Sequence, residues 1–206
     1  FPYTTLFRSI SDILYWISTG LLVPVIVLLI YFFVRALLLI GGFFGQYLDV
    51  KRTQTQIRTA IDTLKSENIY EFSQNLPKKN CSLTVTYIRK MLDAQDDYTK
   101  VEKMLADFEL EADKDMELSK TLTKMGPMLG LMGTLIPMGP ALVGLADGDI
   151  ASMAYNMQVA FATTVVGLFS SAVGFVTKQT KQRWYLRDMN DLEFIANRIK
   201  EKNLNP

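Results

Sequence analysis

The 206-residue chain is 49% hydrophobic and 21% charged, and its mean hydropathy of +0.14 is too high for an ordinary soluble domain. With 22 Lys and Arg against 21 Asp and Glu the net charge is +1, so no global bias points to nucleic acid or to an acidic substrate. One Cys and no His exclude an internal disulfide and remove the commonest general base and the commonest metal ligand. Haem ligation by His, zinc hydrolysis and Ser-His chemistry are thereby disfavoured, and no metal site, resident cofactor or enzymatic activity is expected.

The glycines divide the chain. All 12 fall at 20–45 or 126–174, whereas residues 46–125 hold none and carry 13 of the 22 basic and 14 of the 21 acidic residues. That contrast predicts an all-α membrane protein with a polar helical insert. Phe1–Ser9, FPYTTLFRS, reads as the translation of a sequencing-library adapter and is set aside from topology arguments.

Three segments have the roughly 20 apolar residues that a bilayer crossing needs. They run from about Ile17 to Phe44, Met125 to Ala146 and Tyr155 to Val176. Tyr15, Trp16, Tyr47, Trp184 and Tyr185 flank them as interfacial aromatics would. The first is too long for the apolar core of a signal peptide and is followed by no small-residue cleavage pattern. The divisions expected are residues 10–45 for the N-terminal flank and first span, 46–124 for the insert, 125–178 for the second and third spans, and 179–206 for a C-terminal helix.

Basic residues set the orientation. Lys51, Arg52, Arg58 and Lys65 follow span one, Lys114, Lys120 and Lys124 precede span two, and Lys178, Lys181, Arg183 and Arg187 follow span three. The turn Asp147-Gly148-Asp149 has two acids and no base. The N-terminus and this turn are expected outside a cytoplasmic membrane, with the insert and the tail in the cytoplasm.

Within the insert, Ile57, Ile61 and Leu64, then Tyr87, Ile88, Met91 and Leu92, then Val101, Leu105 and Phe108 recur at helical spacing. Leu76-Pro77-Lys78-Lys79-Asn80 is expected to break it into two arms. Since no Gly or Pro interrupts Leu83 to Met125, the second arm is expected to run into span two as one helix, and span three to continue to Ile199. These are the long cytoplasmic extensions of the predicted fold.

In span two, Gly126, Gly130, Gly133, Pro137, Pro140 and Gly144 follow spacings of 4, 3, 4, 3 and 4, which places them on one helix face. In span three, Asn156, Ala160, Thr163, Gly167, Ser170, Gly174 and Thr177 alternate likewise. Close helix packing accounts for either stripe. Two adjacent stripes, one polar through its whole depth, shift the balance toward a lined path or a socket for another helix. Neither span holds an Asp, Glu, Lys or Arg, so a proton path would need its titrating carboxylate from a partner. Arg35, the one charge in span one, is expected to snorkel to the interface.

Gly126-Pro127-Met128-Leu129-Gly130-Leu131-Met132-Gly133-Thr134-Leu135-Ile136 resembles the penultimate span of the MotA/TolQ/ExbB ion-channel family. Met157-Gln158-Val159-Ala160-Phe161-Ala162-Thr163-Thr164-Val165-Val166-Gly167-Leu168 resembles its last span. The three-span layout is similar to the ExbB/TolQ branch, and the Ala160-Phe161 version of the last motif is closer to MotA. The Glu that ExbB and TolQ carry early in the last span falls on Val159 here, and the second membrane Pro of MotA falls near Thr177.

The resemblance implies a ring, a homo-pentamer, around a single-span partner of ExbD, TolR or MotB type that supplies a membrane Asp. It implies that Thr134 and Thr164, with Thr163 beside them, line the ion pathway, and that Pro127 opens the penultimate span. Gly126, Gly130, Gly133, Gly167 and Gly174 with Pro127 are the helix-packing set. The function expected is a stator-ring subunit conducting H+ or Na+, with membrane lipid as its surroundings and no nucleic-acid partner. The alternative is a non-conducting structural or adaptor protein.

Overall fold

The structure is a computed structural model that describes residues 2–62 and 82–204. The described residues form four helices and no strand: α1 (Pro2–Asp62), α2 (Leu83–Asp93), α3 (Tyr98–Ala146) and α4 (Ile150–Leu204). Three of them, α1, α3 and α4, are long and apolar enough to cross a membrane. The break expected at Leu76–Asn80 lies outside the described residues.

One expectation is corrected. The arm from Leu83 does not run unbroken into span two, because the chain turns between Asp93 and Tyr98. The Ala94 N–H donates to the Lys90 carbonyl to close α2. Asp97 then opens α3, its side chain accepting from the Lys100 N–H (3.4 Å) and its carbonyl from the Val101 N–H (3.3 Å). A short acidic side chain that satisfies the orphan donors of a helix start interrupts a helix without Gly or Pro.

Two compact units divide the described chain. The first comprises α1 up to Ile40 with residues 118–176. Here α3 and α4 form an antiparallel hairpin whose turn, Asp147–Asp149, places Gly148 at φ +75°, a conformation that favours Gly. Asp149 caps α4, accepting from the Ser152 N–H (3.0 Å). Val25, Leu29 and Phe32 of α1 pack against Leu129 and Ile136 of α3 and Val166 of α4, and the Phe33 ring lies 5.7 Å from that of Phe169. Arg35 stays exposed, its Nε donating to the Tyr31 hydroxyl one turn back (3.0 Å).

The second unit comprises α1 from Gly41, α2, α3 up to Glu117 and α4 from Thr177. Its core joins Val85, Ile88 and Met91 of α2, Val101 and Phe108 of α3, and Leu192, Ile195 and Ile199 of α4. Phe108 sits edge-on between Tyr87 and Tyr185. Trp184 stacks on Phe43 with centroids 5.5 Å apart and lies 5.7 Å from the Tyr47 ring, and Tyr185 bonds a carboxylate, so three of the five side chains expected as interfacial anchors take part in packing this unit.

Two buried polar groups cross-link it. Lys181, its side chain 6% exposed, donates to Asp115 at 2.7 Å, and the Tyr185 hydroxyl donates to the same oxygen at 2.6 Å. Burial pushes the Asp115 carboxyl up, but the Lys181 and Tyr185 bonds outweigh it and hold it below its ordinary value. Asp188 accepts from the Thr84 hydroxyl (2.6 Å) and from Gln54 Nε2 (3.0 Å), and burial raises it. Burial and then the bond to Glu111 push the Tyr87 hydroxyl up to about 12.

The Asp115–Lys181 pair should respond asymmetrically. Asp115→Ala strands a buried ammonium and should cost about 3 kcal/mol, whereas Lys181→Met strands a half-exposed carboxylate and should cost about 1 kcal/mol. Since the Asp115 pKa is lowered on folding, its contribution is complete above the unfolded value near ~3.9 and is lost as pH falls through the folded value. The gap between wild type and Lys181→Met should therefore close in acid. Denaturation followed by Trp184 fluorescence in a Trp16→Phe background measures both effects, and equal costs for the two variants would contradict the asymmetry.

Candidate functional site

The two small-residue faces of the hairpin meet each other. A Cβ added at Gly126 would lie 2.7 Å from the Gly167 carbonyl oxygen, one at Gly133 2.6 Å from Thr163, and one at Gly174 2.7 Å from Leu122 Cβ and 2.9 Å from the Ser119 carbonyl. At Gly167 it would lie 2.6 Å from the Gly126 carbonyl and 2.9 Å from Gly130 Cα. Gly130 itself is looser, with its nearest neighbours at 3.5–3.6 Å. Absent side chains let the backbones approach this closely, and the interval between them is filled by the helices themselves.

Hydroxyls in this interface serve their own helices. Thr163, 8% exposed, donates to the Ala160 carbonyl (2.9 Å), and Ser170 to the Val166 carbonyl (2.9 Å). Ser171 is different. Its hydroxyl crosses to the Thr123 carbonyl at 3.1 Å. That carbonyl would ordinarily accept from the N–H four residues on, but residue 127 is a proline without one. Pro127 thus creates an acceptor that Ser171 satisfies.

This bond is testable by a double-mutant cycle. Ser171→Ala should cost on the order of 0.6 kcal/mol in the wild-type background and close to nothing once Pro127→Ala restores the helical donor. Equal costs in both backgrounds, measured by reversible unfolding in mixed detergent, would separate the two residues.

Thr134 and Thr164 lie at the edges of the packed faces. Gly133 opposes Thr163, so the neighbouring threonines sit at nearly one level. Leu129, Ile136 and Val166 turn toward α1, and helical periodicity puts Thr134 and Thr164 on the opposite flank of the hairpin. Both are half-buried. Thr134 donates to the Leu131 carbonyl (2.7 Å) and Thr164 to the Ala160 carbonyl (3.0 Å). Two of the three threonines singled out from sequence therefore fall on one flank of the hairpin, and Thr163 lies inside the interface. Pro127 is exposed, and Gly126, Gly130, Gly133, Gly167 and Gly174 line the helix contact.

The hairpin presents no intramembrane Asp, Glu, Lys or Arg, only a flank bearing two hydroxyls at one depth. No cluster of three or more metal-ligating side chains occurs among the described residues. No individual curated protein matches the chain. A family model does, that of the MotA/TolQ/ExbB proton channel family, over residues 73–193, a stretch that takes in α2, α3 and α4 up to residue 193. With more than half of its length matched, and with the flank's two threonines inside the match, this multi-pass membrane protein belongs to the MotA/TolQ/ExbB proton channel family.

Proposed function

We propose that the chain is the ring-forming subunit of an ion-driven membrane motor, conducting H+ or Na+ past Thr134 and Thr164 to move a partner helix. Family membership supports this reading, since the family is one of channel-type membrane proteins that oligomerise and work with partners of ExbD/TolR/MotB type. The observation that carries it in this chain is the placement of two hydroxyls at one level on the hairpin flank turned away from α1. A hydroxyl can coordinate a cation or accept a proton briefly, but it does not hold one at accessible pKa. The carboxylate is assigned to a single-span partner carrying a membrane Asp. Thr163 stays with the packing residues.

The assembly proposed is a homo-pentamer in the cytoplasmic membrane, N-terminus outside, with the insert and the tail inside. Native mass spectrometry in mild detergent should give five copies, and five with the partner added; a stable monomer or dimer in both conditions would defeat the ring. Cys81, the only thiol in the chain, should be alkylated by a maleimide in inside-out vesicles and spared by an impermeant reagent in intact cells. Labelling from outside would invert the topology.

A non-conducting adaptor is the second reading. The mutual filling of the two glycine faces favours it to the extent that packing alone explains them. Reconstituted ring and partner that assemble fully yet pass no ions would decide for the adaptor.

A further inference from the structure

Two helix faces of the second unit are exposed among the described residues, and their charges are opposite. On α3, Glu102, Glu109, Asp113 and Glu117 share one exposed face, with Leu110 at its edge, 71% exposed; the basic residues Lys103 and Lys114 lie at its margin, and Lys120, half-buried and already partnered, follows Glu117 by one turn. On α4, Arg183 and Arg187 are exposed one turn apart, with Leu186 64% and Phe194 39% exposed beside them. Two acids lie at the margins of this α4 face, Asp191 one turn beyond Arg187 and already partnered, and Glu193 beside Leu186. Asp113 already has a partner. Glu109, Glu117, Arg183 and Arg187 have no hydrogen bond or ion pair among the described residues.

The levels of these charges match. Asp115 accepts from both Lys181 and Tyr185, which aligns residue 115 of α3 with the turn 181–185 of the antiparallel α4. Glu117 and Glu109 therefore bracket the level of Arg183 and Arg187, within about a turn at roughly 1.5 Å per residue. Glu102 lies about two turns beyond Glu109 and is off level. Rotation about an axis parallel to the helices carries a face to a neighbouring copy without changing its level, as the head-to-tail contact of a cyclic ring requires.

From this match we infer that the two faces dock on each other between copies of this chain: Glu109 and Glu117 of one subunit meet Arg183 and Arg187 of the next, with Leu110 and Leu186 supplying the apolar part of the contact. The inference rests on the ring-forming reading above and adds the contact that sets subunit order and spacing in this unit. Opposed charges at such a contact suppress wrong registers because like charges would then face each other.

The test uses the full-length chain with Cys81→Ser. Glu117→Cys chains and Arg183→Cys chains bearing different tags are co-expressed and oxidised mildly in membranes. Mixed-tag dimers should form, and Glu102→Cys paired with Arg183→Cys should give few. Arg183→Glu with Arg187→Glu should weaken the ring by roughly tenfold or more in native mass spectrometry, as should Glu109→Lys with Glu117→Lys, and the four changes together should restore it. A wild-type ring that ignores both reversals and yields no mixed dimers would overturn this contact alone, leaving those faces to water or to another protein. A wild-type chain that is monomeric would overturn the contact and the ring together.

Discussion

Gly167→Ala is expected to force α3 and α4 apart, whereas Gly130→Ala is not. The methyl at Gly167 would meet the Gly126 carbonyl at 2.6 Å and Gly130 Cα at 2.9 Å. Both are backbone atoms, so no rotamer change relieves the overlap and the helices themselves must move. Separation loosens every contact along the stripe and should cost about 1–3 kcal/mol. At Gly130 the same methyl meets its neighbours at 3.5–3.6 Å, ordinary contact, and helix propensity alone favours Ala over Gly by up to ~1 kcal/mol. The two variants should therefore differ in sign or nearly so. Reversible unfolding in mixed detergent, with ring yield as a second readout, measures the contrast. Equal losses at both positions would mean that the backbones do not approach most closely at Gly167.

The contrast also marks what the sequence could and could not disclose. Spacings of 4 and 3 were enough to place Gly126, Gly130, Gly133, Gly167 and Gly174 on helix faces, because the period of an α-helix is fixed. Which of them tolerates a methyl depends on the crossing of two helices, and no local pattern encodes that. Periodicity already sets Thr163 on the small-residue stripe and Thr164 beside it, but that the stripe meets Gly133 of the other helix is known only from the fold. The 100° step between successive helical residues sends one against Gly133 and the other to the hairpin's edge.

Other features of the fold leave a local trace in the sequence. Asp97 stands at a helix start, with Tyr98 the first helical residue, and an acid at that position is a capping signal even where Gly and Pro are missing. Pro127 implies a freed carbonyl at Thr123 by simple counting, although the choice of Ser171 as its donor needed the fold. Asp188 gave no signal at all. Its partners Gln54 and Thr84 lie 134 and 104 residues away, so in sequence it reads as one more solvated charge on a long helix.

Ion flux should fall sharply in Thr164→Val and in Thr134→Val while assembly stays nearly intact. Valine keeps the branched shape and removes only a hydroxyl. In each case that hydroxyl bonds a carbonyl of its own helix, Ala160 for Thr164 and Leu131 for Thr134, so its loss breaks no contact between helices and should cost no more than ~0.6 kcal/mol, the average for interhelical bonds in membranes. Thr163→Val should behave in the opposite way. Its side chain fills the space beside Gly133 and is buried in the interface, so any effect should appear in unfolding before it appears in flux. Gln158→Ala, at an exposed position off the packed faces, is the control for a polar side chain at a similar depth. Flux into vesicles holding ring and partner would be compared at equal assembled protein for wild type, the three threonine variants and Gln158→Ala. Loss of flux confined to Thr134→Val and Thr164→Val would tie conduction to the flank turned away from α1. Wild-type flux in both would remove those two residues from the pathway and leave their hydroxyls as helix-internal bonds with no role in conduction.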